Sequence, residues 1–209
     1  MTIPSAFQEI YSLGHNCQVA TQLRKNGLRR AAGPWDWFNF ASTSEFCKVI
    51  RNRMDDFMQL PNLEIYAKSV NTYYVRDRSS SCLSFHDFKN DPRKAPLYDY
   101  PIFRERLDRR LTRFHDALDS DRSVLLVRMI PHRKDAQTIY DTIRDTYSNA
   151  NITYLFVMLS RDSQIFTLPT FSEHVNIIQI PKGHTWEGDT ASWNQILSPL
   201  QAPIIRIYV

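Results

Sequence analysis

The chain has 209 residues, a formal net charge of +4 and 43% hydrophobic residues, which is enough for one good core. With only five glycines and no G-x-x-x-x-G-K-[ST] or G-x-G-x-x-G run, the two common phosphate-binding loops are excluded. No run is long enough to span a bilayer, and residues 1–14 lack the basic region and apolar core of a signal peptide. The expectation is a cytoplasmic protein without a membrane span.

Three widely separated cysteines, Cys17, Cys47 and Cys82, argue against a disulfide framework or a structural zinc site, and no metal or cofactor is expected. Basic residues are dispersed. The densest patch, RERLDRRLTR at 104–113, is interleaved with acids at helical spacing. That pattern reads as a solvated helix face rather than a nucleic-acid surface.

A short apolar strand at 10–13 breaks at Gly14, presents His15-Asn16-Cys17, and enters a helix with Val19, Ala20, Leu23 and Leu28 at helical spacing. Asn16 is placed to cap that helix, with Cys17 in its first turn. There the positive end of the helix dipole and unpaired N–H groups favour thiolate over thiol, and the backbone N–H groups of Cys17 and Gln18 could receive an oxyanion. The plain alternative is a small buried apolar residue. Gly33-Pro34 ends the helical stretch. Trp35-Asp36-Trp37-Phe38 then suggests a packed wall beside the first helix, with Asp36 capping the next helix or pairing with an arginine.

A second helix is expected over 43–59, since Ser42-x-x-Glu45 has capping-box spacing. Short β-like runs follow at 63–67, 70–76 and 82–88, with a turn at Ser79-Ser80-Ser81. Alternation along the last run puts Phe85 and Asp87 on one face and His86 and Phe88 on the other. After a proline-punctuated loop comes a helix at 102–118. Apolar strands at 123–130, 152–159 and 175–180 then alternate with helices at 135–148 and 190–197, and 204–209 is a candidate edge strand. Near-continuous apolar strands separated by helices imply a parallel sheet covered on both faces. The expected fold is one α/β domain over 1–209. It has three layers, a mostly parallel central sheet and a hairpin-like insertion near 63–88.

The run Ser12-Leu13-Gly14-x-Asn16-Cys17-x-x-Ala20-x-x-Leu23-Arg24-x-x-Gly27-Leu28-Arg29, followed by Gly33-Pro34-Trp35-Asp36-Trp37, resembles the opening of a bacterial family. Its label is "putative papain-like cysteine peptidase" (domain of unknown function 1796). Trp35 stands where that family usually has Phe. The resemblance implies a Cys17 nucleophile and singles out His86, in Phe85-His86-Asp87-Phe88, as its base. It also implies a link to surface-polysaccharide functions. The β-α-β order departs from a papain fold, however. A Cys17 beyond the first parallel strand sits where such sheets bind ligands, as the serine does in hydrolases of the SGNH class.

Among the six histidines, His184 is the second candidate base, because it follows the third apolar strand. Asp189 is the expected carboxylate partner, ahead of Asp87, which alternation points away. Gly14, Asn16, Gln18, Trp35, Arg128 and His184 complete the expected oxyanion- and substrate-binding set. The chemistry implied is acyl transfer through a thioester from a peptide, ester or other acyl donor. Water or a saccharide would be the acceptor. A non-catalytic carbohydrate- or protein-binding module is the alternative.

Overall fold

The computed structural model describes residues 3–201, so the tail strand expected at 204–209 lies outside the described residues. In chain order the elements are β1 (Glu9–Ser12), α1 (Cys17–Lys25), β2 (Phe38–Asn39), α2 (Thr43–Arg51), β3 (Leu63–Lys68), β4 (Thr72–Asp77) and β5 (Cys82–Lys89). They continue with α3 (Tyr100–Leu118), β6 (Val124–Met129), α4 (Arg133–Thr146), β7 (Ile152–Ser160), β8 (Phe166–Leu168), β9 (Val175–Pro181) and α5 (Thr190–Leu197).

The protein is mixed α/β, and its larger sheet has the strand order β1-β6-β7-β9-β8. Its first four strands are parallel, and β8 closes the edge antiparallel to β9. Residues of β6 and β7 alternate between two cores. Val124, Leu126, Tyr154 and Phe156 face one, packed with Phe46 of α2, Phe114 of α3 and Ile139 of α4. Leu125, Val127, Leu155 and Val157 face the other, packed with Val19 and Leu23 of α1 and Trp193 and Ile196 of α5. Apolar residues at every position of these strands therefore reflect burial on both sides. Among the described residues no helix is long and apolar enough to cross a membrane.

The hairpin-like insertion is larger than expected: a four-stranded antiparallel sheet of order β2-β5-β4-β3. Its inner edge is the two-residue β2, which pairs Phe38 with Ser84 and Asn39 with Leu83. The stretch after Trp35-Asp36-Trp37 thus joins the second sheet as a strand. α2 stops at Arg51, well short of 59, because Arg53, Met54 and Met58 take left-handed backbone conformations (φ 49°, 65° and 56°). Those turns direct Met54, Phe57 and Met58 into the core, where continued helix would rotate some of them away.

Candidate active site

β1 ends in a tight turn that aims Cys17. The Leu13 N–H donates to the Val127 carbonyl (2.8 Å), and the Gly14 N–H donates to Ser12 Oγ (3.1 Å). Gly14 has φ +72°, and a Cβ there would lie 2.8 Å from the Trp35 carbonyl oxygen, so only glycine fits without displacing backbone. His15 also has positive φ (84°). Asn16 is the N-cap, and its Oδ1 accepts from the Gln18 N–H at 2.8 Å. Cys17 is then the first helical residue, half-buried, with its thiol free.

His86 comes from the other sheet. Its Nε2 lies 3.9 Å from Cys17 Sγ, although 69 positions separate the two residues. The strand that carries it is irregular. Tyr73 pairs with Phe88 and Val75 with Ser84, so the three residues 85–87 of β5 face the single Tyr74 of β4. A bulge of this kind re-aims side chains. Ser84 and Phe88 are buried, while the intervening His86 turns outward to the Cys17 side. Ser84 Oγ donates to Asp87 Oδ2 (2.7 Å) across the bulge. The alternation expected for this run fails for that reason, and Asp87 lines the same cavity as His86.

The cavity measures about 760 Å³ and is lined by Asn16, Cys17, Trp37, His86, Asp87, Arg106, Arg110 and Trp186. Trp37 meets the His86 ring edge-on (centroids 6.4 Å apart), and the Arg29 guanidinium lies over the Trp37 ring at 5.4 Å. Arg29 is anchored by buried Asp36 (2.6 Å), which also accepts from the Gly33 N–H (2.9 Å). Asp36 thus takes the arginine-pairing role and sets the wall. Trp186 sits at the rim, 64% exposed. Its loop is tied to α1 by Gln22 Nε2 donating to the Glu187 carbonyl (2.8 Å) and by the Lys25–Glu187 ion pair (2.5 Å).

The electrostatics differ from the expectation of a helix-lowered thiol. Burial raises Cys17 above its ordinary 9.0; its own backbone N–H pulls it back, and the Asp87 charge pushes it further up. Burial also raises the Asp87 carboxyl, against the Ser84 hydrogen bond and the nearby Arg110 and Arg106.

Several expected site residues lie elsewhere. Asp189 caps α5, its Oδ1 accepting from the Ser192 N–H (2.8 Å). With His184 it lines a second cleft of about 900 Å³ at the ends of β7 and β9, away from the Cys17 cavity. Among the described residues no carboxylate comes within 4.0 Å of a His86 ring nitrogen. Trp35 is fully buried among Phe40, Phe46, Phe57 and Phe114, a core position that leaves wall duty to Trp37.

Arg128 is 2% exposed, with its guanidinium over the Phe46 ring at 3.9 Å and an Nη1 donating to the Leu13 carbonyl. Burial pulls its pKa down to about 10. It braces the turn before Cys17 rather than facing a ligand. The Gln18 N–H is occupied by Asn16, and its side chain packs on Gly188, where a Cβ would meet Gln18 Nε2 at 1.8 Å. Gln18 therefore supports the Trp186 loop and offers no oxyanion donor. Asn16 keeps its cavity position, and with Oδ1 engaged its amide Nδ2 remains as the donor.

Trp37 belongs to the wall expected from residues 35–38, whereas three other cavity residues escaped the sequence reading: Trp186 and the pair Arg106 and Arg110. The arginine spacing of four was visible, since it places both on one face of α3.

Residues 8–159 match the family described as "Putative papain-like cysteine peptidase" (domain of unknown function 1796). An uncharacterised protein of Acanthamoeba polyphaga mimivirus is 24% identical over 212 residues, covering 89% of this chain and 95% of that protein. That relative is viral, whereas the sequence resemblance was to bacterial proteins. No solved structure matches the chain.

Proposed function

We propose, for a chain that belongs to the family described as "Putative papain-like cysteine peptidase" (domain of unknown function 1796), that it is a cysteine hydrolase working through a Cys17–His86 dyad. The observation that carries this reading is the 3.9 Å approach of Cys17 Sγ to His86 Nε2 in the lining of a cavity. Because burial disfavours a standing thiolate, the nucleophile must be made at the moment of attack. His86 Nε2 takes the thiol proton as sulfur bonds to the acyl carbon. The carbonyl π pair moves onto oxygen, facing the Cys17 N–H and Asn16 Nδ2. Collapse breaks the bond to the leaving group, which receives the proton from His86, and a thioester remains. Water, deprotonated by His86, then attacks the thioester; the acid departs and the Cys17 thiol is restored. Cys17 lies beyond β1 of a parallel sheet, and on this reading it would correspond to the serine of SGNH hydrolases.

Trp37 and Trp186, flat rings beside the cavity, favour a second reading in which a saccharide stacked there accepts the acyl group in place of water.

The test is covalent trapping. After exposure to p-nitrophenyl acetate, mass spectrometry should place one hydroxylamine-labile acyl group on Cys17. Cys17→Ala should abolish it. Acylation unaffected by that substitution, or none at Cys17, sinks the proposal.

A further inference from the structure

The sequence assigns 104–113 to a solvated helix face, yet two of its arginines border the Cys17 cavity. Arg106 and Arg110 stand one turn apart on α3, and both line the cavity. The neighbouring charges on that helix are satisfied locally. Arg104 pairs with Asp108 (2.5 Å), Arg109 lies 3.7 Å from Glu105, and Arg113 donates to the Ala32 carbonyl (3.1 Å). Among the described residues Arg106 donates only to the Ile102 carbonyl of its own helix (3.2 Å). Among the described residues neither Arg106 nor Arg110 has a carboxylate within 4.0 Å.

Among the described residues Asp87 is the one carboxylate in the cavity lining, and it already accepts from Ser84. Two guanidinium groups against one carboxylate leave an excess positive charge on the wall of the cavity that Cys17 also lines. Each carries donors in a fork that fits a carboxylate or phosphate. Arg110 is half-buried and Arg106 exposed, so salt screens the pair in part.

We infer that Arg106 and Arg110 form an anion subsite, so that the substrate of Cys17 carries a carboxylate or phosphate group near its reacting carbonyl. This inference rests on Cys17 being the nucleophile, and its test separates the two ideas.

The test compares alkylation of Cys17 by anionic iodoacetate and by neutral iodoacetamide. In both, sulfur displaces iodide and bonds to the methylene carbon. Rates are taken by mass spectrometry, and the iodoacetate/iodoacetamide ratio is normalised to that of N-acetylcysteine amide. The wild-type ratio should exceed the free thiol's by about tenfold, as expected for two nearby cations, and should fall with added salt. R106Q/R110Q should bring the ratio to the free-thiol value, while R106K/R110K should keep it high, which separates charge from folding. Glutarate or inorganic phosphate should slow iodoacetamide labelling in wild type, and the stronger protector names the group recognised. A ratio equal to the free thiol's, a ratio unmoved by R106Q/R110Q, or protection by neither anion overturns the subsite. A Cys17 inert to iodoacetamide would instead defeat the dyad on which it rests.

Discussion

The proposed dyad makes a quantitative demand on His86. A thiol at the ordinary 9.0 is only about 1% ionised at pH 7, and burial moves Cys17 further from ionisation. Without a base, attack at pH 7 therefore runs at least about a hundredfold below its alkaline limit, equivalent to about 2.7 kcal/mol. A positioned imidazole recovers this by taking the proton within the attack, an effect of about 10²–10⁴-fold for general bases. His86→Ala should thus slow acylation of Cys17 by p-nitrophenyl acetate at pH 7 by at least about a hundredfold. Its rate should then climb about tenfold per pH unit to beyond pH 9, while wild type levels off at lower pH. Stopped-flow release of p-nitrophenolate between pH 5 and 10 measures both. Equal rates with superimposable pH profiles would refute the base assignment, and with it the reading of the bulge in β5 as a catalytic device.

Gly14→Ala forces a Cβ against the Trp35 carbonyl at positive φ, whereas Gly27→Ala has the same handedness (φ +70°) and open space. Urea unfolding should show about 2–4 kcal/mol lost for the first and about 1–2 kcal/mol for the second; equal losses would show that the Trp35 contact is immaterial. Asp189→Ala removes the cap on α5 and should cost about 1 kcal/mol while Cys17 acylation stays at the wild-type rate. A collapse of acylation with the fold intact would put Asp189 back in the site. Burial raises the Asp36 carboxyl despite Arg29. The folded state therefore holds that proton to higher pH than the unfolded chain, and this contribution makes stability fall as pH rises through the folded pKa. Asp36→Asn should remove that slope from unfolding free energies measured between pH 4 and 7, and an unchanged slope would exclude Asp36 as its source.

What was legible in the sequence follows from what is local. The strand-Gly-His-Asn-Cys-helix junction, the cap by Asn16 and the four parallel strands each depend on patterns within a few residues, and these appear in the structure at nearly the expected bounds. Trp35 and Trp37 could not be told apart by composition. Only the pairing of Phe38 with Ser84 decides which indole faces the core. Arg128 reads as a strand-end arginine near the ligand edge, and its inward direction follows from the phase of β6 and from Phe46 on a distant helix. Asp189 reads equally well as a catalytic carboxylate or as a helix cap, and its hydrogen bond to Ser192 selects the cap.

The bulge in β5 is the least legible feature and the most consequential. Period-two alternation would put His86 on the face of Ser84 and Phe88, buried in the second sheet and away from Cys17. Setting three residues of β5 against Tyr74 breaks that phase, and the Ser84–Asp87 hydrogen bond spans the break. Phe85 meanwhile packs against Tyr74 and Tyr66 (centroids 5.4 and 6.4 Å). The aromatic flank that marks His86 in the sequence thus has a mechanical role. Phe88 anchors one end of the irregularity in the core, Phe85 holds the other against the tyrosines, and the histidine between them is left facing the thiol of the other sheet. The 3.9 Å approach of Cys17 to His86 thus joins the two sheets, with Gly14 and Arg128 fixing the cysteine side and the bulge fixing the histidine side.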